Sequence, residues 1–155
     1  MYCFDTSAFM DSWTSWHPID VFPCVWSSFR DAFRNRRIIA PHLVLPEIAR
    51  NAIELSQWIN REGLNTFFVI DTDDVSRLAG NIISEYRDLI DLDSGRNQAD
   101  PNVIALSIVK GLPLVTGEVR RTNIAKRHKI PDVCDDKNVE WFNVIEFMRR
   151  EGWRF

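Results

Sequence analysis

The sequence predicts an α/β fold in which a mostly parallel sheet is covered by helices on both faces. Two observations carry this. Short β-branched and aromatic runs at residues 2–6, 66–70, 112–116 and 139–144 alternate with segments whose apolar residues recur at helical spacing. Parallel strands need long crossover connections, which a helix after each strand supplies. A third observation sets the scale: 155 residues, 45% of them hydrophobic, suit a single domain over 1–155 whose core needs no disulfide or structural metal.

Taken in order, residues 2–6 form a first strand whose carboxyl end delivers Asp5, and residues 11–20, with Trp13, Trp16 and Pro18, read as a loop. Val21, Phe22, Val25, Trp26, Phe29 and Phe33 lie on one face of a helix over 21–35. Ile38, Ile39 and Ala40 make a short extended or turn element before Pro41. Ile48, Ala52, Leu55, Trp58 and Ile59 then continue a helical stripe over 43–59. Pro46 belongs at the first turn of that helix or at a kink, because a proline inside a helix removes a hydrogen bond and clashes with the preceding turn.

Residues 66–70 form a second strand that runs into a capped helix over 74–89. The polar residues 91–99 read as a loop. Asp100-Pro101 opens a helix containing Val103, Ile104 and Ile108, and Gly111 ends it. A strand over 112–116, a basic connection over 118–129, a last strand over 139–144 and a helix over 145–151 complete the chain.

Composition narrows the function by exclusion. No apolar run approaches the roughly 18 residues of a membrane span. Asp5 falls where a signal peptide would carry a basic and then a longer apolar region, so a cytoplasmic protein is expected. Cys3, Cys24 and Cys134 lack any CxxC spacing and read as reduced thiols rather than a disulfide or zinc framework. The net charge of −3 gives no global attraction to nucleic acid, so such a contact needs a local basic patch or metal ions.

The informative residues are four acids. Asp5 and Glu118 each follow a strand, which directs both toward the edge where ligands bind in parallel sheets. Asp100 opens a helix, and Glu47 follows Pro46 early in another, positions that face the same cleft. Hard divalent ions take oxygen ligands, and acids that repel one another become stable together once an ion neutralises them. A bound ion also lowers the pKa of its water and stabilises charge developing on phosphorus, which suits phosphodiester hydrolysis.

Each acid has a structural alternative. Asp before Pro is an ordinary N-cap signature, Glu47 alone suits a solvated helix face, and Glu118 alone suits a turn. Asp5 is harder to dismiss, because a carboxylate ending an apolar strand is costly unless capped, paired or metal-bound, and Thr6 and Ser7 beside it can position a ligand or water.

At these residues the chain resembles the PIN domain, in particular small bacterial and archaeal PIN-like proteins of the DUF4411 kind. The likeness runs through Tyr2-Cys3-Phe4-Asp5-Thr6-Ser7, Pro46-Glu47-Ile48, residues 99–105, Val115-Thr116-Gly117-Glu118, residues 129–134 and the ending Gly152-Trp153-Arg154-Phe155. It implies a three-layer α/β/α sandwich around a parallel sheet, with Asp5, Glu47 and Asp100 as the three core acids and Glu118 as a fourth, more variable one. Thr6, Ser7 and Thr116 are then supporting polar groups. The resemblance further implies a Mg²⁺- or Mn²⁺-dependent ribonuclease acting on RNA. Many such proteins are toxins of toxin-antitoxin pairs held by a cognate antitoxin, often as homodimers. Two departures are a glutamate at 118, where many PIN domains carry aspartate, and Pro46 directly before Glu47.

Arg120, Arg121, Lys126 and Arg127 follow Glu118 closely enough to guide a phosphate backbone, or else form a solvated surface. Trp13 and Trp16 suit core packing, base stacking or a partner anchor. Asp132 suits a turn or an outer-shell acid, and His17, His42 and His128 show no metal-ligand spacing. Two other function classes remain open: a PIN-like module that only binds RNA or protein, and a phosphatase with Asp5 as nucleophile. For the latter, Ser7 stands where the haloacid dehalogenase pattern carries a second aspartate.

Overall fold

The computed structural model describes residues 1–90 and 97–155. Five strands, β1 (Tyr2–Phe4), β2 (Ile38–Pro41), β3 (Phe68–Val69), β4 (Leu114–Val115) and β5 (Trp141–Phe142), form a sheet in the order β3-β2-β1-β4-β5. Every neighbouring pair is parallel. The chain steps outward from β1 to β3, then returns to lay β4 on the other flank of β1, so the strand order reverses between β1 and β4. The carboxyl ends of strands at such a reversal leave a crevice between diverging connections.

The crossovers are helical. α1 (Thr6–Asp11) and α2 (Pro23–Arg34) lead from β1 to β2, and α3 (Val44–Asn51) and α4 (Ile53–Arg61) lead from β2 to β3. α5 (Asp73–Glu85) and α6 (Asp100–Lys110) precede β4, α7 (Ile130–Asp136) precedes β5, and α8 (Val144–Arg150) follows it. Side chains alternate across β1, which sorts the helices into two layers. The rings of Tyr2 and Phe4 meet Phe147 of α8 at 5.1 and 4.9 Å, and Phe4 meets Phe29 of α2 edge-on at 6.2 Å. Cys3 points the other way, its Sγ 3.5 Å from the Val103 carbonyl of α6. The result is the three-layer α/β/α sandwich that the alternating pattern predicts.

Several local expectations change. Residues 11–16 are not loop: α1 passes into a π-helical turn, Ser12–Trp16. Ser12 Oγ and Thr14 Oγ1 donate to the carbonyls four residues back, both at 2.8 Å, and Trp13 packs on Trp26 at 4.6 Å. Hydroxyl back-bonding and an anchored ring hold a helix that the polar sequence disguises. Pro46 sits in the first turn of α3, where its missing N–H leaves no bond unmade, and the helix break falls at Ala52, with φ −145° and ψ 72°. α7, unforeseen as a helix, is capped by Asp132, whose carboxylate accepts from the Lys129 N–H at 2.9 Å. The strands are shorter than their apolar runs, and the loop expected over 91–99 lies largely outside the described residues.

Candidate functional site

Asp5 ends β1 and also begins α1. Its Oδ1 accepts from the Ala8 N–H at 2.7 Å, an N-cap bond, while Ser7 Oγ and Thr116 Oγ1 both donate to Oδ2 at 2.7 Å. Thr116 follows β4, so this pair of bonds clips together the ends of the two central strands. Ser7 Oγ in turn accepts from the Gly117 N–H at 2.8 Å.

Glu47 reaches the same region from the first turn of α3. Its carboxylate accepts from Thr6 Oγ1 and from the Ala99 N–H, the latter at 3.1 Å, which ties α3 both to α1 and to the start of α6. Asp100 is the first residue of α6, with Pro101 behind it; the residue in the cap position is Ala99, and no side chain caps this helix. The capping alternative for Asp100 therefore fails, and its carboxylate is left to face the cavity. Glu118 approaches from the β4 end, held by the Ile130 N–H at 2.9 Å and by Arg127 at 3.6 Å.

These four acids line one cavity of about 460 Å³ at the carboxyl edge of the sheet, together with Thr6 and Ser7. It also takes in residues with no place in the sequence pattern: Asp11, Arg50, Asn51 and Asn97. Asp11 was hidden because its segment reads as loop; a helix from Thr6 onward would have placed it on the same face as Ser7. Arg50 and Asn51 lie three and four residues beyond Glu47 on α3, a spacing visible in the sequence once Glu47 is taken as a site residue.

The electrostatics follow from crowding and burial. Asp5 and Asp100 are only 2% and 6% exposed. Burial pushes the Asp5 carboxyl up to about 7, against the opposing pull of its hydrogen bonds from Ser7, Ala8 and Thr116. Burial also raises Asp100 well above the usual carboxylate range, with further upward pushes from Glu118, Asp5 and Glu47 and a weaker opposing one from Arg127. Among the described residues, five carboxylates line the cavity against the single guanidinium of Arg50. A positive charge inside it lowers the free energy of every ionised acid.

The donor chemistry suits a hard divalent ion, since carboxylates and hydroxyls are the groups Mg²⁺ and Mn²⁺ prefer. Among the described residues no three His, Cys, Asp or Glu side chains already converge on one point as ligands. The acids stand apart on the cavity walls, each of Asp5, Glu47 and Glu118 turned to its own donors.

The basic stretch divides. Arg120 is paired with Asp135 and lies over the Trp141 ring at 4.7 Å, and Arg121 Nη1 donates to the carbonyls of Ile124 and Lys126 at 3.3 and 3.2 Å. Lys126 lies in the same connection. Arg127 is the one of the four whose guanidinium meets an acid of the cavity. Asp132 serves structure, accepting from the backbone of Arg121 as well as capping α7. Trp13 is core, whereas Trp16 is 39% exposed and lines a neighbouring groove with Trp141. None of the three histidines lines the acid cavity. Cys3 and Cys134 are buried free thiols, while Cys24 is exposed. No helix among the described residues is long and apolar enough to cross a membrane.

No curated protein and no solved structure matches this chain. The model of one family matches residues 2–155, nearly the whole length, and the chain belongs to that family, described as a domain of unknown function, DUF4411.

Proposed function

We propose that this protein is a PIN-like, Mg²⁺- or Mn²⁺-dependent ribonuclease. The observation that carries the reading is that Asp5, Glu47, Asp100 and Glu118, brought from four separate elements, line one cavity at the reversal point of a parallel sheet. Asp5, Glu47 and Asp100 would hold the ion, with Glu118 acting directly or through water. When bound, the ion supplies an activated water and stabilises charge developing on the scissile phosphate. Thr6, Ser7 and Thr116 fix the carboxylates in place, and Arg127 and Arg50 provide positive charge for the phosphate backbone. The choice of RNA, and a role as the toxin of a pair held by an antitoxin, rest on the sequence resemblance.

An aspartate-nucleophile phosphatase is less well supported, because Ser7 stands where the haloacid dehalogenase pattern carries its second aspartate. A module that only binds RNA or protein has no use for four buried or half-buried acids in one cavity.

The test is cleavage of an unstructured single-stranded RNA oligonucleotide with Mn²⁺ or with chelator. Wild type cuts only with the ion; Asp5→Asn and Asp100→Asn abolish cutting; Glu118→Gln, whose carboxylate is already held by Ile130 and Arg127, loses about tenfold. Cutting in chelator, or full activity in either aspartate variant, contradicts the proposal.

A further inference from the structure

Beside the acid cavity lies a second groove of about 720 Å³, and the turn after β4 is the wall between them. Glu118 lines both, and Gly117, which lines the groove, donates its N–H to Ser7 on the cavity side. The π-helical turn that continues α1 carries Trp16 to the groove and leaves its ring 39% exposed. Trp13 of the same turn packs on Trp26 and Trp58, whereas among the described residues no ring packs against Trp16. Trp141 of β5 also lines the groove; the Arg120 guanidinium covers its ring at 4.7 Å, and its Nε1–H donates to Asp135 at 2.9 Å. Val119 adds exposed apolar surface.

The groove carries little net charge, because each of its acids faces an arginine. Among the described residues its four carboxylates, Glu118, Asp135, Glu140 and Glu146, meet Arg127, Arg120, Arg150 and Arg149 at 3.6, 3.0, 2.8 and 3.5 Å. Such a lining offers a phosphate no spare positive charge and a cationic segment no spare negative one. It suits a flat, uncharged group with polar edges, and the base of an unpaired nucleotide is one, since every base has a face for an indole or guanidinium plane. Asn143 can meet a base edge: its Oδ1 accepts from the Glu146 N–H at 2.9 Å, and among the described residues nothing occupies its Nδ2. We infer that the groove holds one base of single-stranded RNA, stacked on Trp16 and on the Arg120 guanidinium that covers Trp141, while the backbone of that nucleotide runs past Glu118 toward the acid cavity. This inference rests on the reading of the cavity as a ribonuclease site.

The test is binding of a short, unstructured, fluorescein-labelled RNA to the full chain as wild type, Trp16→Ala and Trp16→Phe, with circular dichroism to follow folding. It is run in Ca²⁺, which takes carboxylate oxygens as Mg²⁺ does, with gels to confirm that the RNA stays intact. Trp16→Ala is expected to weaken binding about five- to 150-fold, the range for one base stacked on an aromatic ring. Its salt slope should equal that of wild type, because no phosphate contact is lost. Duplex RNA, whose bases are stacked on one another, should be little affected. Trp16→Phe keeps a stacking face and most of the affinity but reduces the quenching of indole fluorescence by bound RNA, and it decides alone should Trp16→Ala fail to fold. Wild-type affinity in Trp16→Ala, an equal loss on duplex RNA, or undiminished quenching in Trp16→Phe overturns the inference and leaves the groove to a protein partner. No RNA binding by wild type overturns instead the ribonuclease reading on which it rests.

Discussion

Thr116 Oγ1 donates to Asp5 Oδ2 across 2.7 Å, joining the ends of the two strands between which the sheet reverses. The same hydroxyl accepts from the Glu118 N–H at 3.0 Å, so one fully buried threonine sets both a core acid and the turn that carries the fourth. Thr116→Val keeps the shape and removes both bonds. Hydrogen bonds to a charged group contribute about 1.5–3 kcal/mol, so metal-free stability should fall by roughly that amount at alkaline pH, where Asp5 is ionised. A urea midpoint equal to that of wild type would show that the bond does not hold the site.

The raised acids make the stability of the metal-free protein depend on pH with a definite sign. Asp5 titrates at about 7 in the folded chain against 3.8 for an ordinary aspartate, and Asp100 is raised as well. Between those two values the folded state binds more protons than the unfolded state. Stability in chelator should therefore decrease as pH rises from 3.8 to about 7, with the full penalty present above that range. Asp5→Asn should flatten this slope. Added Mn²⁺, which needs ionised ligands, should protect more at pH 8 than at pH 5. A metal-free melting temperature that climbs across the window contradicts the buried, unneutralised acids.

Much of the frame was legible in the sequence. The apolar runs around β1 and β4 identified the central strands, and the helical stripe from Val25 to Phe33 marked α2. Asp5 and Glu118 were legible because a polar residue ending an apolar run is an anomaly within a short window. Asp11 was not: Ser12, Thr14 and Ser15 suggest loop, and the helix exists because their segment is anchored by Trp13 in a cluster with Trp26 and Trp58, a tertiary cause. Asp100 was legible as a helix start, but only the fold shows Ala99 in the cap position and so takes away the ordinary capping role from Asp100. The basic run after Glu118 looked uniform in sequence, yet each arginine has its own partners: Asp135 for Arg120, the Ile124 and Lys126 carbonyls for Arg121, and the Leu89 carbonyl and Glu118 for Arg127, whose acid partner is one that lines the cavity.

Arg127 should accordingly carry most of any electrostatic guidance from that stretch. Arg127→Ser is expected to weaken RNA binding to a similar degree across sequences and to reduce the salt slope by about one, the share of a single phosphate contact. Arg120→Ser and Arg121→Ser should change the slope little. Equal losses at all three positions, read from binding over a salt series, would assign the effect to a diffuse surface charge instead.

The acid cavity should take up a divalent ion. Titration calorimetry of Mn²⁺ into wild type and Asp100→Asn, both in chelator-treated form at pH 8, measures this without any substrate. Wild type should bind saturably and be stabilised on heating by about 2.7 kcal/mol at a hundredfold excess over Kd, while Asp100→Asn, folded alike, should bind far more weakly. Equal Mn²⁺ affinity in the two proteins, or no saturable binding in wild type, contradicts the account.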